Sequence, residues 1–467
     1  MYKIIILVAG FLLLTFFDSD AQRRTTLYES LLQRTEQPSS YVDHIVLPSE
    51  DSTAQFSVIF RLDYDLISFL RVRPDMQLPS PDIEYFAPVR MGLEIFDGSI
   101  PTSRRSANAT SILRDSWQDT IWVNTFEETK SRFNHVEAFI PGHLAAGDYH
   151  YELQLARGGS VRESSSNRRN LSIPEMSAAD SVDFILLNEL TVKDEHLSAS
   201  LLNYGSNVLY GQDYFLLIRL PVNDSEDELE SDPQFTFEIR KLAPGNRNKI
   251  DEEIRYSVEI TNDKMVHITD AVWRKSEDGI IFDAELNNKG ALYAYVSIPN
   301  QNFENSRYQL RLLKNGQEEP LGFRNVSSQW LDMPISLYNL NVAIDMMKFI
   351  VSEDEIKRLQ SGSTAEKEQK FRDFWESRDP TPDTEFNELM NEYYKRIDFA
   401  HINYTTVTNP GYETDQGKAY ILYGPPDNIE RRLPTNAPTR EIWVYPNRTL
   451  IFEATSGFGD FRLVTES

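Results

Sequence analysis

The stretch Ala54-Gln55-Phe56-Ser57-Val58-Ile59-Phe60-Arg61-Leu62 decides the fold class. Phe56, Val58, Phe60 and Leu62 alternate with Ser57, Ile59 and Arg61. A period of two sends successive side chains to opposite faces, so the spacing predicts a half-buried β-strand. Similar runs at 90–96, 120–126, 134–140 and 149–155 predict further strands. In the last of these Tyr149, Tyr151, Leu153 and Leu155 share a face, behind the turn residues Gly147 and Asp148. Immunoglobulin-like sandwiches have such a corner before a late strand. Residues 158–180 are rich in Ser, Arg and Asn without periodicity and read as a linker or long loop. A second strand series follows at 182–187, 214–220, 234–240, 255–261, 266–273, 280–286, 292–298 and 308–313. Lys314-Asn315-Gly316 adds a hairpin signal. The expectation is two immunoglobulin-like β-sandwich domains, 23–178 and 179–326.

Composition agrees. Of 467 residues, 12% are aromatic, which suits the pleated surface of a sheet. A net charge of −25 repels phosphate backbones and argues against nucleic acid as a partner. The chain has no cysteine, which excludes disulfides, zinc–thiolate sites and thiol catalysis. At the N-terminus, Lys3 precedes an apolar run over 4–17, and Ser19 and Ala21 offer small residues for cleavage before Gln22. This pattern predicts a signal peptide over 1–21 and an exported protein: periplasmic, outer-membrane-associated or secreted. Residues 22–50 read as a leader or first edge strand. No later stretch reaches the ~18 apolar residues of a membrane span, so none is expected in the mature chain.

The pattern changes near residue 330, and 327–467 reads as an α+β domain. Ser352 with Glu355, and Ser363 with Glu366, have capping-box spacing. Phe371, Phe374 and Trp375 make one helical face, which Pro380 and Pro382 terminate. A second helix is predicted over 383–401, with Phe386, Met390, Tyr393, Tyr394 and Ile397 on its apolar side. Strands at 418–423, 440–445, 449–453 and 460–464 complete a small antiparallel meander.

Several motifs stand in order here. Phe374-Trp375-Glu376-Ser377-Arg378-Asp379 comes first, followed by Gly411-Tyr412-Glu413-Thr414-Asp415. Gly424-Pro425-Pro426-Asp427, Ile442-Trp443-Val444-Tyr445 and Gly457-Phe458-Gly459-Asp460 complete the series. This order resembles the GWxTD domain family of bacterial exported proteins, over roughly 330–467. One departure is Tyr412, where the family has tryptophan. The swap keeps an aromatic ring but exchanges an indole N–H for a phenol. The resemblance implies a domain class and an export setting, and no reaction.

The same residues have direct physical readings. Gly411 and Gly417 suit close backbone approach. Thr414 and Asp415 suit bonds to nearby backbone N–H groups. Gly424, Pro425 and Pro426 should stop a strand, with Asp427 at a capping position. Trp443 and Tyr445 share one strand face, opposite Ile442 and Val444. With Asp460 these residues form the candidate binding set, an aromatic and acidic rim. No His-Glu-x-x-His, Gly-x-Ser-x-Gly or phosphate-loop motif occurs, and neither metal nor cofactor is expected. The favoured expectation is a non-catalytic binding or scaffolding protein with an envelope protein or polymer as partner. One alternative is an envelope hydrolase using Asp415, Asp427 and Asp460. Another is calcium-dependent adhesion through the acidic run 224–232, which lacks EF-hand spacing.

Overall fold

The computed structural model describes residues 26–34, 39–48, 53–101, 110–126, 128–130, 134–157, 163–175, 182–221, 235–243, 250–268, 271–276, 279–287, 290–406, 408–433, 438–456 and 460–466. The predicted signal segment, the acidic run 224–232 and Gly457 to Gly459 lie outside these residues. The chain divides into two compact units. A β unit holds Gln37–Leu331 with Thr384–Phe386. An α+β unit holds the described residues within 26–34, Asp332–Asp383 and Asn387–Ser467.

The β unit is a stack of four sheets around three cores. Ser40–Pro48, Thr53–Asp63 and His135–Ala145 form a three-stranded antiparallel sheet with Thr53–Asp63 in the middle. One of its faces carries Phe56, Val58, Phe60 and Leu62. These pack on Leu93, Ile95, Tyr151 and Leu153 of a six-stranded sheet built on Tyr85–Asp97 and Gly147–Arg157. The opposite face carries Ile45, Leu47 and Ile59, which pack on Ile185, Leu187, Leu217 and Phe282 of a seven-stranded sheet. That sheet turns Phe184, Leu216 and Ile218 the other way, onto Phe237, Leu310 and Leu312 of a five-stranded sheet.

Thr53–Asp63 is therefore not half-buried. Ser57 and Ile59, expected on an open face, are 0% and 3% exposed, because a further sheet covers them. The boundary expected at 178 falls inside this single unit. Two more expectations change. Residues 158–180 contain the strands Glu163–Ser165 and Arg169–Ile173, which pair with Gly147–Arg157 and bury Leu171 and Ile173. The run 266–273 is two strands, Met265–Ile268 and Val272–Ser276, at opposite edges of the seven-stranded sheet. At the turn before Gly147–Arg157 the Tyr149 hydroxyl donates to the Ala145 carbonyl at 3.1 Å.

In the α+β unit the described helices are α1 (Leu27–Arg34), α2 (Leu340–Met346), α3 (Glu353–Gln360), α4 (Thr364–Glu376), α5 (Glu388–Tyr404) and α6 (Asp415–Tyr423). A four-stranded antiparallel sheet follows, in the order Asn428–Arg432, Arg440–Tyr445, Arg448–Ser456, Asp460–Glu466. The Ser363–Glu366 capping box is complete. Helix α5 starts later than predicted, where the Asn387 side chain accepts from the Met390 N–H at 2.8 Å. Phe386 is not on that helix. It packs in the β unit on Tyr210 and Trp330, each at 5.4 Å between ring centroids. The run 418–423, predicted as a strand, is helical. Its aromatic composition favours a strand, but Thr414 caps it as a helix. Among the described residues no helix is long and apolar enough to cross a membrane.

Candidate functional site

The motif Gly411 to Asp415 is the turn between α5 and α6. Gly411–Glu413 is a single 3-10 turn, and Thr414 is the cap of α6. The Thr414 hydroxyl donates to the Gly411 carbonyl at 2.7 Å and accepts from the Gly417 N–H at 3.0 Å. Both glycines are needed for close approach. A Cβ at Gly411 would lie 1.9 Å from the Ala400 carbonyl oxygen, and one at Gly417 would lie 1.8 Å from the Gly411 oxygen. The Asp415 carboxylate accepts from the Leu463 N–H at 3.0 Å and so ties the first turn of α6 to the last strand.

Gly424 ends α6, not a strand. Its φ of +77° is a conformation that side-chain-bearing residues avoid. Its carbonyl accepts from the Tyr445 hydroxyl at 3.1 Å. Pro425 is exposed and Pro426 half-buried. Asp427 does not cap a helix. It is exposed and leads into the strand Asn428–Arg432, its N–H donating to the Val444 carbonyl at 2.8 Å. Asp460 opens the last strand opposite Ser456.

The aromatic residues do not form a rim. Tyr412 is 2% exposed and Trp443 0%, and they belong to two different cores. Trp443 and Tyr445 do share a face, as predicted, and that face is the buried one under α6. Burial pushes the Tyr445 phenol up to about 12.

Two neighbours in this core were not singled out in the sequence. Glu441 shares the face of Trp443 and is buried. Its carboxylate accepts from the Gln416 amide at 2.7 Å, the Trp443 indole N–H at 3.3 Å, and the Arg431 Nε at 2.9 Å and Nη2. Gln416 directly follows Asp415, so adjacency to the motif was its available signal. Nothing in the local pattern marks Glu441.

The other side of the motif meets the N-terminal helix. Tyr28 of α1 is 1% exposed, with its ring edge-on to Tyr412 at 5.3 Å and to His401 at 4.9 Å. Its hydroxyl donates to Asp398 Oδ1 at 2.7 Å. Asp398 Oδ2 accepts from the Ile335 N–H at 2.9 Å. Burial pushes the Asp398 carboxyl up to about 6, against the lowering effect of these bonds. The Tyr412 hydroxyl donates to Thr26 Oγ1 at 3.3 Å. Thr26 and Glu29 cap α1 reciprocally: the Thr26 N–H donates to Glu29 Oε2 and the Glu29 N–H to Thr26 Oγ1.

The motif order, the turn and the two cores it joins coincide with a known domain. Residues 332–459 match the GWxTD domain. No curated protein matches the chain. Among solved structures the chain is similar to the red sea bream transglutaminase, at 8% identity over 67% of this chain and 34% of that one, with a TM-score of 0.18. It is similar to the purple acid phosphatase PPD1 of yellow lupin, at 10% identity over 63% and 40%, with a TM-score of 0.14. It is also similar to the C-terminal domain of the Streptococcus agalactiae AgI/II polypeptide BspA, at 10% identity over 62% and 100%, with a TM-score of 0.15. The chain thus spans 34% and 40% of the first two. In this chain the motif forms a turn whose side chains have partners within the domain: Glu413 pairs with Lys348 at the surface, Thr414 caps α6, Asp415 holds the Leu463 N–H, and the ring at Tyr412 is a packing surface for α1.

Clefts occur elsewhere. In the β unit a cavity of about 440 Å³ is lined by Arg61, His135, Glu137, Asn203, Tyr204 and Lys275, among others. A second, of about 500 Å³, lies over Gly92 between Arg90, Glu94 and Arg114. Among the described residues no group of three His, Asp or Glu side chains could hold a metal ion.

Proposed function

We propose that this is an exported, non-catalytic binding or scaffolding protein of the cell envelope, with an envelope protein or polymer as its partner. The reading takes the signal-peptide pattern as the export signal. It takes the facing sheets of the β unit as immunoglobulin-like sandwiches, which the Tyr149 corner supports.

One observation carries the proposal. Asp415 holds a backbone N–H, and Glu441 and Asp398 hold buried donors. Carboxylates used this way build a scaffold. What the GWxTD unit leaves outside is an edge. Strand Asn428–Arg432 is exposed along its whole length, Ile429 at 49%, and Leu433 just beyond its end is 75% exposed. A free edge with apolar side chains suits strand addition by an extended segment.

The test places a photo-crosslinking residue at Ile429 or Leu433 in the full chain, in exporting cells, with Lys367 on α4 as control. A discrete adduct at 429 and 433 and none at 367 is the expected result. Adducts equal at all three sites would overturn the docking edge. N-terminal sequencing of the exported protein should begin at Gln22; retention of residues 1–21 would overturn the cleaved leader.

A further inference from the structure

The packing of α1 is unusual in one respect. Eight residues do not hold a helix alone in water, since isolated helices below ~12–15 residues are marginal. Helix α1 is therefore shaped by what it docks on. Among its described side chains the buried one is Tyr28, seated among Tyr412, His401 and Asp398. Tyrosine in a closed socket, with its hydroxyl on a carboxylate, is the chemistry of interface hot spots. Leu31 packs beside it, whereas Leu27 is 54% exposed. The residue that departs from the family pattern takes part as well. Tyr412 supplies a phenol where the motif has an indole, and that phenol donates to the α1 cap at Thr26.

We propose that the socket of Asp398, His401 and Tyr412 is a peptide-recognition site, and that α1 is its displaceable tethered ligand. The site reads a short helix of the pattern Thr-x-Tyr-Glu-x-Leu. The occupant from outside is α1 of a second copy of this chain, because identical sequence guarantees the fit and exchange of an identical element costs little. Threonine and glutamate cap the incoming helix, tyrosine fills the socket and leucine packs beside it. This goes beyond the edge-strand proposal and stands or falls separately from it.

The test uses a labelled peptide of residues 23–36 and full-length variants. Tyr28→Ala empties the socket, and Tyr412→Ala damages the socket while leaving α1 intact. The peptide should bind the Tyr28→Ala chain at least tenfold more tightly than wild type, where the tethered helix competes. The same peptide with alanine at position 28 should not bind. Tyr28→Ala and Tyr412→Ala chains should each stay monomeric alone and form a one-way heterodimer when mixed. No saturable binding at about 1 mM peptide to a folded Tyr28→Ala chain overturns the site. Peptide binding without a heterodimer overturns the second-copy occupant. Hydrogen exchange on the wild-type chain covers a Tyr28→Ala variant that fails to fold. Amides of α1 should exchange at least 100-fold faster than those of α5, and equal protection overturns displaceability.

Discussion

Gly411 lies against Ala400 so closely that a Cβ there would sit 1.9 Å from the Ala400 carbonyl oxygen. The contact is backbone to backbone, so no side chain can rotate away. Gly411→Ala should force α5 and the motif turn apart and destabilise the α+β unit by about 3 kcal/mol or more. Gly92→Ala is the control, since its Cβ would meet Gln154 Cβ at an ordinary 3.6 Å. Urea unfolding of the two variants checks the contrast, and equal midpoints would contradict it.

Glu441 gathers donors from α6, from its own strand and from the edge strand. Glu441→Ala leaves the buried Gln416 amide and Trp443 indole without their acceptor. The expected cost is about 2–4 kcal/mol, reduced from the fully buried case because Arg431 is largely exposed. A double-mutant cycle with Gln416→Leu should show coupling of about 1 kcal/mol or more. Strict additivity would mean the two residues act independently.

Ile59 belongs to the core that joins the two β-regions. Ile59→Ala should cost about 2–5 kcal/mol through the cavity it leaves. The shared core also makes both β-regions one cooperative unit. Hydrogen exchange in denaturant should show Leu93 and Leu217 losing protection together, and two separated transitions would count against the four-sheet stack.

Acidity acts on two carboxyls. Burial pushes Asp63 up to about 6, against the lowering influence of Arg61, and Asp398 also to about 6. The unfolded carboxyl titrates near ~3.9, so between roughly pH 4 and 6 the folded chain binds more protons than the unfolded one. Stability contributed by these groups is present at pH 4 and lost as pH rises through 6, by up to about 3 kcal/mol for Asp398 and by less for the partly solvated Asp63, where water screens the charge. Asp398→Asn and Asp63→Asn should each flatten part of this slope. A pH–stability curve unchanged by both substitutions would show that these carboxyls do not set it.

Much of the architecture was legible because hydrophobic period reports burial. The alternation from Phe56 to Leu62 located its strand and one of its faces. It could not report that Ile59 and Ser57 are buried too, because the covering sheet comes from residues beyond 180. The run Ala419 to Tyr423 is ambiguous in sequence, since five apolar and aromatic residues fit a strand or a buried helix equally. The deciding signal is Thr414, whose expected bond to a nearby backbone N–H turns out to be the cap of α6. Close approach at Gly411 and Gly417 was visible from residue type alone. The aromatic rim was not, because whether Tyr412 and Trp443 face out depends on α1 and α6. The pairing of Tyr28 with Asp398 spans a separation of 370 residues and leaves no local mark.

That separation also sets a clock. Chains emerge from the N-terminus at about 5–20 residues per second, so Tyr28 is synthesised roughly 20–80 s before Asp398 exists to receive it. Throughout that interval the first segment has no structure to join. The α+β unit therefore begins with its earliest residues and can be completed only by its latest, after the whole β unit has been made.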